Sequence, residues 1–92
     1  MGYLFEWDPK KAFLNLRKHG VSLDEASTAF RDPLALLMSD PDHSVAEDRW
    51  ILLGTSSHGR LLVVAFAERP PRTRLISARR ASRRERRRYE EA

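Results

Sequence analysis

The sequence predicts an α+β domain with an antiparallel sheet, helices packed on one of its faces, and elements in the order β-α-α-β-β-β-β-α. Three observations predict it. Two segments with helix start signals fill residues 8–32, strand-length apolar runs separated by turn residues fill 34–80, and a third start signal opens the C-terminal end at Ser82. Helices and then a run of strands segregate in this way in α+β domains, where the helices cover an antiparallel sheet.

Each element has a local reason. Tyr3 to Trp7 is apolar and aromatic, as a first strand requires. Asp8-Pro9 reads as an N-cap followed by proline at the first helical position. Ala12, Phe13 and Leu16 then recur at helical spacing as the expected buried stripe, and Gly20 closes the helix. Ser22 with Glu25 is a capping box, flanked by Val21 and Ala26 as a weak staple. The short helix it starts is expected to bury Ala26, Ala29 and Phe30 and to end at Asp32-Pro33.

After Pro33 the period changes to that of strands. Leu34 to Met38 is a short apolar run, broken by the turn residues "SDPDHS". Trp50 to Thr55, the turn Ser56 to Gly59, and Leu61 to Ala67 make a hairpin rich in Val, Ile and Leu. Pro70-Pro71 turns the chain into Arg72 to Arg80, which alternates less cleanly around Leu75 and Ile76. Trp7 and Trp50 read as core. Ser82-Arg83-Arg84-Glu85 is a second capping box, so the arginine-rich end reads as a helix and not as a loose tail. That helix has little besides Tyr89 and Ala81 to bury, so its stability rests on caps and on the i,i+4 pairs Arg86–Glu90 and Arg87–Glu91.

Composition bounds the function. A chain of 92 residues makes one domain, 1–92, and an apolar share of 41% argues against wholesale disorder. The absence of cysteine excludes disulfides and thiolate metal sites. With no signal-peptide core and no apolar run near the roughly 20 residues of a spanning helix, the expectation is a soluble cytoplasmic protein without a membrane partner. Charge is sharply divided: residues 1–48 carry five basic and nine acidic side chains, residues 49–92 twelve and four. The second half suits a polyanion or an acidic protein.

Three stretches, "FEWDPKKAFLNLRKHGVSLDEA", "DPDHSVAEDRWILLGTSSHGRLLVV" and "LISARRASRRERRRY", span nearly the whole chain in order. Together they resemble the BrnT toxins of bacterial type II toxin–antitoxin systems, most specifically in the "KHG" helix end and the arginine-rich ending. The resemblance implies a RelE/ParE-like fold and a metal-independent, cofactor-free endoribonuclease that arrests translation and growth. It also implies a BrnA-like ribbon-helix-helix antitoxin as partner, with operator DNA met only through that antitoxin.

Cleaving RNA without a metal requires the 2′-hydroxyl to attack the adjacent phosphorus. A base must take its proton, cations must neutralise the phosphorane, and an acid should protonate the departing 5′ oxygen. Arginine suits the second task because its planar fork binds two phosphate oxygens and stays charged. Arg60 at a strand start and Arg79 at a strand end are the expected phosphate clamps. Adjacent strand residues face opposite sides, so only one of Arg79 and Arg80 can share a given face. Among titrating groups, His19 in the "KHG" end is the first candidate base or acid, with Lys18 beside it as an RNA contact. A histidine there also serves simply as a helix cap. Glu47 is a candidate base that could equally pair with Arg49. Tyr89 is a proton donor or base-stacking residue in the functional reading and a packing anchor in the plainer one. His43 and His58 read as turn residues, and no metal site is expected. Arg49, Arg69, Arg80 and Arg83 are candidate RNA contacts. Arg83, Arg84, Arg86, Arg87 and Arg88 circle a helix, so no single ligand meets them all; they read as a solvated face or an antitoxin contact, with Arg84, Arg87 and Arg88 the expected antitoxin contacts. Two rival readings are a non-catalytic nucleic-acid-binding module and an antitoxin-docking domain without activity.

Overall fold

The computed structural model describes residues 3–40 and 48–92. Its elements are β1 (Phe5–Glu6), α1 (Pro9–His19), α2 (Leu23–Thr28) continued by a 3-10 turn (Ala29–Arg31), β2 (Leu36–Ser39), β3 (Arg49–Thr55), β4 (Leu61–Arg69), β5 (Arg72–Arg80) and α3 (Arg83–Glu91). This is the expected order. The sheet runs β1-β5-β4-β3-β2, antiparallel from β2 to β5. The short β1 departs from the antiparallel expectation: it pairs parallel to β5, Phe5 beside Thr73. No helix is long and apolar enough to cross a membrane among the described residues.

Local signals act largely as read. The Asp8 side chain accepts from the Lys10 amide, Pro9 opens α1, and Gly20 ends it at φ 69°, a left-handed geometry that glycine adopts without strain. The rotation of α1 differs from expectation. Phe13 and Leu16 point outward, 59% and 49% exposed, while Ala12 packs against the core and Asn15 is buried. Asn15 fixes that rotation by donating to the Val21 and Ala78 carbonyls and accepting from the Ala78 amide. Three hydrogen bonds to otherwise unpaired buried groups outweigh the burial of one more apolar side chain.

The core lies between α1, α2 and one sheet face. Val21, Leu23, Ala26, Ala29 and Phe30 pack on Leu52, Leu62, Val64, Phe66, Leu75 and Ala78, with Trp7 and Trp50 partly buried at its margin. Phe30 and Phe66 meet edge to face at 4.9 Å.

The pleat places Ile51, Leu53, Leu61 and Val63 on the opposite face, and α3 leans on that one. The expectation that every helix shares one face therefore fails for α3. A bulge in β5 changes which of its side chains face α3. Ala65 pairs with Ser77 but Phe66 with Leu75, so Ile76 is an extra residue and the alternation shifts by one. Leu75 and Ala78 face the helical core; Ser77 and Arg79 face α3.

Candidate functional site

The end of the sheet where β3 turns into β4 and β5 runs out gathers most of the chemistry. Arg60, just before β4, donates Nε to Glu25 Oε2 at 2.9 Å and Nη2 to Glu25 Oε1, and its Nη2 also reaches the Gly20 carbonyl at 3.1 Å. Glu25 is only 4% exposed, and it also accepts from the Ser56 hydroxyl at 2.7 Å. The guanidinium hydrogen bond lowers the Glu25 pKa despite burial, with help from Ser56, and the same bond raises that of Arg60. His58 Nδ1 lies 3.4 Å from Glu25 at the exposed hairpin tip.

Glu25 is the residue that sequence reasoning missed. It signals only a capping box, and half of that box exists: Ser22 Oγ accepts from the Glu25 amide at 3.0 Å. The reciprocal half is absent because the Glu25 carboxylate is committed to Arg60.

Two ties hold the C-terminal end of α1 against this corner, Asn15 at Ala78 and Arg60 at Gly20. His19, half-buried, immediately precedes Gly20 and lies one turn beyond Asn15. Arg80 is two residues past Ala78 and opposite Leu62, so it shares the sheet face of α1. Lys18 and Arg80 are exposed, and among the described residues neither side chain has a hydrogen-bond or ion-pair partner.

The pairing of Arg60 with Arg79 as joint clamps needs correction. Arg79 lies on the other face, where its fork is spent on Glu85: Nη1 to Oε1 at 2.9 Å and Nη2 to Oε2 at 2.8 Å. Glu85 in turn accepts from the Ser82 amide at 2.7 Å and donates its own amide to Ser82 Oγ, completing a capping box. The Arg79 fork holds the Glu85 pKa down at about 2. Plain alternation from Leu75 would put Arg79 on the core face; the Ile76 bulge turns it away and brings Arg80 round.

Tyr89 is an anchor. Its hydroxyl donates to Asp32 Oδ2 at 2.5 Å and accepts from the Thr55 hydroxyl at 3.3 Å. Asp32 also accepts from the Thr55 and Leu34 amides. Burial works against the Asp32 carboxylate, but the Tyr89 hydroxyl and the two amides outweigh it and its pKa falls. The hydrogen bond to Asp32 raises that of Tyr89, so the phenol keeps its proton. Among the described residues the pairs Arg86–Glu90 and Arg87–Glu91 are not closed, and α3 is fixed by Glu85 and Tyr89 instead.

The remaining expected contacts scatter. Arg49 and Arg69 stand at the far end of the β3–β4 ladder, about 24 and 30 Å from Arg60 at ~3.4 Å per strand residue. Arg69 has a partner of its own, and Arg49 Nε is buried without one. Arg83 opens α3 and is exposed; Arg84, Arg87 and Arg88 line a groove over β2. Glu47 and His43 lie outside the described residues. Among those described, no cluster of three His, Asp or Glu side chains is placed to hold a metal ion.

Comparison with known proteins agrees with this architecture. The crystal structure of the Brucella abortus ribonuclease toxin BrnT, solved at 1.1 Å, superposes with a TM-score of 0.69 at 21% identity, covering 89% of this chain and all of that one. No curated protein sequence matches the chain significantly. The family model described as the ribonuclease toxin BrnT of type II toxin–antitoxin systems matches residues 7–85, from Trp7 in the β1–α1 turn to the capping glutamate of α3. The chain therefore belongs to the BrnT family of ribonuclease toxins.

Proposed function

We propose that the protein is a metal-independent endoribonuclease, neutralised by a ribbon-helix-helix antitoxin, whose reaction centre is the corner between the end of α1, the start of β4 and the end of β5. The observation that carries this reading is the grouping of His19, Arg60 and Arg80 on one sheet face, with Arg60 held in place by a buried carboxylate. His19 takes the proton from the 2′-hydroxyl, whose oxygen then bonds to phosphorus. The bond to the 5′ oxygen breaks, that oxygen collects a proton, and a 2′,3′-cyclic phosphate remains. Arg80 provides the fork for the phosphoryl oxygens. Arg60 offers Nη1, since Nε and Nη2 are engaged with Glu25 and Gly20. A preorganised donor aimed at developing charge contributes roughly 10²–10³ in rate. Lys18 and Arg83 extend the positive surface along the strand of RNA, while Arg79 and Tyr89 position α3.

The test is cleavage of a single-stranded RNA by antitoxin-free protein in excess EDTA, with analysis of the new ends. Cyclic phosphate termini are expected. Intact RNA would refute the enzymatic reading and leave the chain a binding module.

A further inference from the structure

Between α3 and β2 lies an open groove of about 630 Å³ that the RNA-cleaving corner does not use. Its floor is an edge strand of the sheet, with Leu36 and Met38 on the face towards α3. Its wall is α3, from which Arg84, Arg87 and Arg88 project at i, i+3 and i+4, on one helix face. None of these arginines has an acidic partner among the described residues. Glu91 and Ala92 close the far end. The wall is rigid, because α3 is pinned at Glu85 by Arg79 and at Tyr89 by Asp32.

An apolar floor beside a row of unpaired guanidinium groups selects an amphipathic chain that carries carboxylates. Nucleic acid fits poorly. Its sugar–phosphate backbone would leave the apolar floor of Leu36 and Met38 unburied. Acidic side chains opposite Arg84, Arg87 and Arg88, with apolar ones beneath them, satisfy both surfaces at once.

We propose that the groove between β2 and α3 seats an acidic, amphipathic segment of the protein that neutralises this toxin, its apolar side chains on Leu36 and Met38 and its carboxylates on Arg84, Arg87 and Arg88. The inference rests on the toxin–antitoxin reading and names the surface that reading leaves open. The groove lies on the opposite sheet face from His19 and Arg80, so changes within it spare cleavage.

The test uses the full chain and the purified product of the open reading frame adjoining its gene. Calorimetry measures binding, and a fluorescent RNA oligomer reports cleavage. Two variants are compared with the parent: the triple change Arg84→Glu, Arg87→Glu, Arg88→Glu, and Met38→Asp, which leaves α3 untouched. Each should weaken binding by about 30-fold or more, the scale for breaking desolvated charge pairs, while free variants cut RNA at the parental rate. Unchanged affinity in both variants, or no binding by the parent, overturns the proposal. A parallel loss of cleavage overturns it too, because the groove would then hold RNA. A parent that binds in this groove yet never cuts RNA would refute the enzymatic reading and leave the docking surface standing.

Discussion

Arg60 lays its guanidinium fork along both carboxylate oxygens of Glu25, a side chain that is almost wholly buried. That contact joins the β3–β4 turn to α2 and, through the Gly20 carbonyl, to the end of α1. Breaking one partner of such a pair leaves the other uncompensated, whereas replacing both with apolar groups is tolerated. Glu25→Ala should therefore lower the melting temperature by more than about 5 °C, and Glu25→Leu with Arg60→Met should restore most of it. RNA cleavage should fall in both, because His19 and Gly20 lose their tie. Full activity in the double variant would show that Arg60 does not shape the site.

Acid should weaken the fold in a defined window. Glu85 is held at about 2 against an ordinary value of 4.5, chiefly by Arg79, and Glu25 and Asp32 are lowered as well. Depressed carboxylates contribute stability that is complete above their unfolded values and lost as pH falls through their folded ones. Urea midpoints should accordingly drop between about pH 4.5 and pH 2. Glu85→Gln, which keeps the capping hydrogen bond but loses the charge, should flatten part of that slope. An unchanged slope would mean that the Arg79–Glu85 pair does not persist in solution.

Tyr89→Phe removes one hydroxyl from the Asp32–Thr55 cluster. The expected cost is about 1–2 kcal/mol in chemical denaturation, appropriate to a partly buried hydrogen bond to a charged group. The cleavage rate per folded molecule should stay near parental. A large loss of rate with no loss of stability would instead make Tyr89 a proton donor to the substrate.

The outward rotation of α1 has a stability signature. Phe13→Ser should change unfolding free energy by less than about 0.5 kcal/mol, as exposed positions do. Phe30→Ala, in the aromatic cluster with Phe5 and Phe66, should cost about 3–5 kcal/mol. Comparable losses at both positions would contradict the Asn15-fixed orientation.

The element order was legible because each boundary carries its own chemistry: Asp8-Pro9, Gly20, Ser22, Asp32-Pro33, Ser56 to Gly59 and Ser82 act through local hydrogen bonds or backbone preference. Sidedness was not legible. The buried face of α1 depends on Asn15 reaching Ala78, sixty-three residues away. Which arginine meets the α1 face depends on one extra residue at Ile76, and period-two reasoning across "RTRLISARR" cannot see a bulge. Glu25 was hidden for a related reason. Its local role as a capping residue explained it fully, while its long-range partner Arg60 lies thirty-five positions on.

The central claim is that catalysis belongs to the α1 face of this corner, and cleavage of one RNA oligomer by Arg80→Ala and Arg79→Ala proteins tests it most directly. Arg80→Ala should retain the parental melting temperature and lose about 10²–10³ in cleavage rate. Arg79→Ala should melt earlier, because Glu85 loses its partner, yet cut at near the parental rate while folded. The reverse pattern, with Arg79→Ala folded and inactive and Arg80→Ala active, would contradict it.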